Sequence, residues 1–381
     1  MRDLVEIGMG RTARQAYELD DIEIVPSRRT RSSQVVSTAW QIDAYRFDIP
    51  LITHPTDALV SPDTAVAVGE LGGLGVLNAE GLWARHSNVA EALDRLAATA
   101  NDEDDPTALI RMLQELHAAP IQPDLLAESI KRIRDSGAAT VAVRVSPQRA
   151  VELTPELLAA GVEILVVQGT IVSAEHVATD DEEPLNLKRF IADLDVPVIA
   201  GGVADYRTAM HLMRTGAAGV IVGHGHSIGV TSTDAVLGIG VPMATAIVDA
   251  AAARRDYLDE TGGRYVHVIA DGGVHVSGDL AKSIACGADA VMLGEPLSMA
   301  AEMPGRGLYW TAAAAHPSLP RSRVQLGSDP DSQVDLRTLL FGPASDPDGR
   351  VNLFGALRRA MAKTGYSDLK EFQKVGLTVR G

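Results

Sequence analysis

Cysteine is almost missing from this chain: Cys286 is the only one in 381 residues. No intrachain disulfide can form, and a zinc centre built on thiolates is excluded. Aromatic residues are scarce as well, at 4%, while hydrophobic residues reach 46%, which suits an Ala/Val/Leu-packed α/β enzyme and argues against disorder. Positive charge is the minority sign, since 34 Lys and Arg face 50 Asp and Glu for a formal net charge of -16. That balance lacks the basic footprint of a nucleic-acid binder, so no nucleic-acid partner is expected and the acidic surplus serves solubility. Long apolar runs are missing too: none approaches the roughly 18 residues that span a bilayer, so no membrane partner is expected. The opening MRDLVEIGMGRTARQAYELDD has no apolar centre of a secretory signal, which leaves the cytoplasm as the expected compartment.

What the chain does have is a series of short β-branched runs. They are DIPLIT (48–53), GLGVLN (73–78), TVAVRV (140–145), EILVVQG (163–169), VPVIAGG (196–202), GVIVGHG (219–225), YVHVIADGG (265–273) and AVMLG (290–294). Each reads as continuously apolar rather than alternating, the pattern of parallel strands covered on both faces. Helical patterns lie between most of them. TPELLAAG offers Thr154 as an N-cap with Pro155 at the first helical position, and SGDLAKSIACG offers Ser277 as a cap and Gly287 as a stop. Eight strands alternating with helices predict a (β/α)8 TIM barrel with long loops after strands 2, 6 and 8. A doubly wound open sheet is the alternative, but the early glycines of GELGGLGVLN (69–78) precede a strand instead of following one. The three long stretches are residues 79–138, 224–242 and 295–350, and loops of that length at the carboxyl end of a barrel are usually functional.

Glycine marks the candidate site. The unit from Val266 to Glu295, VHVIADGGVHVSGDLAKSIACGADAVMLGE, joins a buried strand, an acid, two glycines, a helix and a second strand ending in glycine. Gly272, Gly273 and Gly294 would then lie at the tops of strands 7 and 8, where barrels bind phosphate through backbone N–H groups. Tight strand-to-helix turns are the plainer explanation of the same glycines. Asp271 suits ribose hydroxyls, or else serves as a helix cap. The segment 222–242 adds glycines, hydroxyls and the H-x-H pair His224 and His226, which would bind metal only with help from His54, His267 or His275. Cys286 falls within a helix and reads as a small buried hydrophobe.

These residues resemble the inosine monophosphate dehydrogenase and GMP reductase family. ADGGVHVSGDLAKSIACGADAVMLG is similar to its phosphate-binding segment, NLFGALRRAMAKTGYSDLKEFQKV (352–375) to its terminal stretch, and THPTDALVS (53–61) with GELGGLGVLN to its first two strands. The likeness runs essentially the whole length and is greatest to short actinobacterial members without the regulatory CBS pair. It implies one barrel domain over residues 1–381, with 295–350 as a flap-like insertion. It further implies a purine nucleoside monophosphate beside NAD or NADP, a monovalent cation (potassium) and a homotetramer. On the substrate side it implies Asp57, Asp271, Gly272, Gly273 and Gly294; on the cofactor side Gly223, Gly225 and Gln168, the last where the family has an acid.

The family forms a covalent adduct through a loop cysteine and hydrolyses it with a flap arginine. Here the matching loop reads Thr231-Ser232-Thr233-Asp234, or begins at Val230 if shifted by one, and Arg321 of the LPR at 319–321 stands for the arginine. A hydroxyl is a weak nucleophile unless a base activates it. Thr53 and Thr56 replace a family Ser and Met, and Glu295 replaces a serine that holds the phosphate. The expected function is therefore an NAD(P)-linked oxidoreductase without the family cysteine, with an inactive nucleotide-binding paralogue as the alternative. A metal-dependent hydrolase rests on the H-x-H spacing alone.

Overall fold

The eight β-branched runs fold as eight parallel strands of one sheet. The structure, a computed structural model, describes residues 4–100, 107–169, 172–174, 184–226, 237–316, 324–328 and 332–380, with only the backbone of 224–226. The strands are β1 (Leu51–Thr53), β2 (Val76–Asn78), β3 (Ala142–Val145), β4 (Ile164–Gln168), β5 (Val198–Val203), β6 (Gly219–His226), β7 (His267–Gly272) and β8 (Ala290–Leu293). Their order in the sheet is β1-β8-β7-β6-β5-β4-β3-β2. The seam between β1 and β2 is closed by Leu74, which bridges Ile52 in parallel and exchanges bonds with Thr53 N (2.9 Å) and Leu51 O (2.8 Å). One residue further on, the Thr53 hydroxyl accepts from Val76 N at 2.9 Å, so a side chain supplies the acceptor where the ladder ends. The open-sheet alternative is thereby excluded, and the chain is a (β/α)8 barrel.

Helices follow the strands: α1 (Pro62–Glu70), α2 (Val89–Ala100), α3 (Ala108–Ala118), α4 (Pro123–Ser136), α5 (Ala150–Ala160), α6 (Leu187–Ala192), α7 (Tyr206–Arg214), α8 (Met243–Thr261) and α9 (Ser277–Ala285). The long stretch after β2 therefore carries three helices, α2 to α4. Two predicted caps are corrected. α5 begins at Ala150, one turn before the expected Thr154, so Thr154 and Pro155 lie inside it and the Thr154 hydroxyl is buried without a partner. The buried stripe Ala150, Leu153 and Leu157 carries the helix through the proline; the carbonyl it orphans belongs to Val151, which is exposed to water. In α9, Ser277 is the first helical residue and not the cap. Asp279 does the capping, its carboxylate accepting from His275 N (3.0 Å) and Val276 N (3.1 Å).

The two ends of the barrel are covered differently. At the amino end, a hairpin of Trp40–Ile42 and Tyr45–Phe47 lies under the strands, with Trp40 edge-on to His267 at 5.8 Å between ring centres. At the carboxyl end lies part of the 295–350 segment: a 3-10 turn Glu295–Met299, then a two-stranded pairing of Leu308–Tyr309 with Gln325–Leu326. Thr56 donates its hydroxyl to Trp310 O at 2.5 Å and Gly305 N donates to Ala58 O at 2.8 Å, which tie this segment to the loop after β1.

Candidate active site

Asp271, next to last in β7, is 2% exposed and sits at the centre of the carboxyl end. Its Oδ1 lies 3.2 Å from His54 Nδ1, and its Oδ2 accepts from Gln168 Nε2 at 2.8 Å. β4 and β7 are separated by two strands in the sheet, so the Gln168 bond crosses the lumen. A carboxylate only accepts, so a neutral His54 donates from Nδ1 and leaves Nε2 as a base. His54 immediately follows β1, so groups from two other strands, β1 and β4, meet on one acid of β7.

The glycine-rich end of β6 is a bulge beside this acid. Val222 pairs with Ala270 and His226 with Gly272, so residues 223–225 face Asp271 alone. Gly223 is required there: its φ is +103°, and a Cβ would overlap the Asp271 carbonyl oxygen. Gly272 and Gly273 turn the chain out of β7. At the end of β8, a Cβ on Gly294 would overlap the Tyr309 hydroxyl, so a phenol is packed directly over that turn. Tyr309 is 2% exposed; burial pushes its hydroxyl well above the ordinary range, helped by the charges of Asp271 and Glu295. Glu295 is half-buried and makes no hydrogen bond or ion pair among the described residues.

A second arc of polar groups continues round the mouth. Arg144 of β3 donates to Asn78 Oδ1 (3.3 Å), Glu80 Oε1 (3.2 Å) and Gln168 O (2.8 Å). Burial lowers its guanidinium pKa against the opposing charges of Glu80 and Asp57. Asp57, 2% exposed, faces His117 of α3 (Oδ2 to Nε2, 3.2 Å), and its Oδ1 is buried without a partner against Gly81.

Of the residues singled out in the sequence, Asp271, Gln168, Gly223, Gly272, Gly273 and Gly294 gather at this end, with Gly225 in the bulge. Asp57 borders it from the β1 loop. Thr231 and Arg321 lie outside the described residues, as do the side chains of His224 and His226. The histidines proposed to help bind metal separate: His54 is on Asp271, while His267 opens β7 at the opposite end. Cys286 follows α9 in the outer ring, and burial pushes its thiol up to about 12. Sequence reading missed His54 as a partner of Asp271, along with Tyr309, Glu80 and Arg144. Arg144 carried a signal, a charge within the otherwise apolar run TVAVRV; Tyr309 carried none.

The sequence profile of the IMP dehydrogenase / GMP reductase domain matches residues 16–316. An uncharacterized oxidoreductase of Mycolicibacterium smegmatis is 67% identical over 379 residues, covering 99% of this chain and 100% of that protein. One of Mycobacterium tuberculosis is 66% identical over 381 residues, with the same coverage of 99% and 100%. The inosine-5'-monophosphate dehydrogenase of Aquifex aeolicus is 34% identical over 240 residues, covering 59% of this chain and 46% of that enzyme. A crystal structure of an IMP dehydrogenase/GMP reductase-like protein from Corynebacterium glutamicum superposes with a TM-score of 0.93 at 56% identity, covering 100% of this chain and 98% of that one.

Proposed function

Because this chain belongs to the IMP dehydrogenase / GMP reductase family, we propose that it is an oxidoreductase coupling NAD or NADP to a purine nucleoside monophosphate or related compound. The carrying observation is the Asp271 centre, a buried carboxylate fixed from two sides by His54 and Gln168 and ringed by the glycine turns of β6, β7 and β8. In this reading Asp271 receives ribose hydroxyls, Gly272, Gly273 and Gly294 present backbone N–H groups, and Asp57 serves the substrate from the β1 loop. His54 Nε2, oriented through Nδ1 by Asp271, takes up a proton from the reacting ligand.

Gln168, Gly223 and Gly225 are the proposed cofactor side. Gly223 lets the bulge pack directly on the Asp271 carbonyl, which holds residues 223–225 beside the Asp271 centre. Gln168 Nε2 donates to Asp271 Oδ2 at 2.8 Å and to Met292 Sδ at 3.4 Å, which occupies both of its hydrogens and leaves Oε1 to accept from a carboxamide. A nicotinamide bound there supplies the hydride acceptor or donor. Thr231 and Arg321 are the proposed catalytic positions of the loop and flap; potassium and a homotetramer belong to the same proposal.

The only thiol is Cys286, buried in the outer ring with its pKa pushed up to about 12, so the proposed chemistry is direct hydride transfer or uses another nucleophile. The same thiol favours a second reading, a paralogue that binds the ligand without turning it over. Absorbance of reduced nicotinamide is the test, read against IMP, XMP, GMP and their nucleosides. Turnover with one of them is expected; a panel giving neither turnover nor inhibition rejects the enzyme. Stabilisation of about 2.7 kcal/mol at a hundredfold excess over Kd, without turnover, selects the paralogue.

A further inference from the structure

We propose that the cradle at the ends of β7 and β8 holds the hydroxymethyl end of an unphosphorylated purine ribonucleoside, not a phosphate. This rests on the purine reading above and narrows it. Three observations converge. The space over the Gly294 turn is taken by Tyr309, whose hydroxyl would meet any Cβ placed there. That ring is fixed: it is 2% exposed, its strand pairs with Gln325–Leu326, and it packs edge-on to His54 at 6.5 Å.

The charges at this point are also of one sign. Asp271 and Glu295 both act on the Tyr309 hydroxyl. Two cations of neighbouring elements are engaged elsewhere. Arg144 is held by Glu80, Asn78 and the Gln168 carbonyl, and Lys282 of α9 reaches towards Glu23 at 3.9 Å. A phosphate dianion brought to the Gly294 turn meets carboxylates, and no hydrogen bond or ion pair among the described residues brings a cation to that turn.

The third observation is a matched pair of unused groups. Glu295 has a half-buried carboxylate that accepts nothing, and Tyr309 a hydroxyl that makes no hydrogen bond, among the described residues. A ligand hydroxyl satisfies both, donating to Glu295 and accepting from Tyr309. A phosphate dianion accepts from the tyrosine but has no proton for the glutamate.

Calorimetric titration of the full-length chain compares inosine and guanosine with IMP and GMP. The nucleosides are expected to bind about tenfold or more tightly than their monophosphates, a difference of about 1.4 kcal/mol. Glu295→Ser is expected to reverse that order, and the isosteric Glu295→Gln to remove most of the discrimination; circular dichroism confirms that both fold. Tyr309→Phe is expected to weaken nucleoside binding several-fold. Wild-type affinity for IMP equal to or above that for inosine overturns the inference while leaving the purine reading standing. Failure of every purine ligand to bind either the wild-type chain or Glu295→Ser overturns both.

Discussion

The two ends of the barrel each bury an aspartate in β7 or beside it, and they treat it in opposite ways. At the amino end Asp289 accepts five hydrogen bonds: from Arg254 (2.7 Å), Val268 N (2.9 Å), Tyr265 (2.8 Å), Lys370 (2.5 Å) and Gln373 (3.1 Å). Arg254 and Lys370 both lie over the Tyr265 ring, 5.0 and 3.8 Å from its centre. Burial alone would raise the Asp289 carboxyl, but the charges of Arg254, Lys370 and His267 outweigh it and hold it well below the carboxylate range. Among the described residues, Asp271 at the carboxyl end accepts from His54 and Gln168 alone, and around it Asp57 Oδ1, Tyr309 Oη and the Glu295 carboxylate make no bond. A saturated polar cluster fixes a fold; an unsaturated one leaves valences for a ligand. Barrels use their ends in that way, with stability at the bottom and chemistry at the top.

The largest expected effect breaks the contrast most directly. Asp289→Asn leaves Arg254 buried without its counter-charge and is expected to cost about 3–5 kcal/mol in urea unfolding, with ligand affinity of the surviving fold unchanged. Asp271→Asn is expected to cost only about 1 kcal/mol and to abolish ligand binding. Equal destabilisation by the two would collapse the distinction between the ends.

Acid sharpens it next. Burial, against the pull of Asp289, lowers the His267 imidazole to about 4. The unfolded chain takes up that proton near pH 6.5 and the folded chain only near 4, so stability falls as pH drops through this window, by about 3 kcal/mol in all. Asp289 adds a loss of its own at lower pH, when its depressed carboxylate must protonate. His267→Gln should flatten the pH 4–6.5 slope of unfolding midpoints, and a slope that persists unchanged would place its origin elsewhere. The smallest effect is at the rim of the amino-end cluster. Lys370 is half exposed, so Lys370→Met is expected to change stability by no more than about 1 kcal/mol, read in the same urea series.

Much of the fold was legible in the sequence because each signal was local. The eight strands needed only β-branched runs and their spacing, and Gly223, Gly294 and Asp271 stood out because they end those apolar runs. The misplaced start of α5 has an equally local cause. Thr154-Pro155 is a good cap in isolation, but the buried stripe from Ala150 to Leu157 decides where the helix begins. His54 and Tyr309 could not be assigned in this way. His54 stands in the family-like THPTDALVS and Tyr309 in no marked stretch, but in neither case does the local sequence name the partner, and their roles come from contacts with Asp271 and Gly294 across the mouth.

The sequence by itself therefore determined the parallel barrel, its glycine turns and the acid at the end of β7, since periodicity and backbone permissiveness act over a few residues. Only the tertiary structure decided which acid is saturated and which is open. Asp289 draws its donors from Arg254, Tyr265, Lys370 and Gln373, and Asp271 draws His54 and Gln168 from separate strands. Closing the sheet is what brings such distant groups within the 3 Å or so over which hydrogen bonds act.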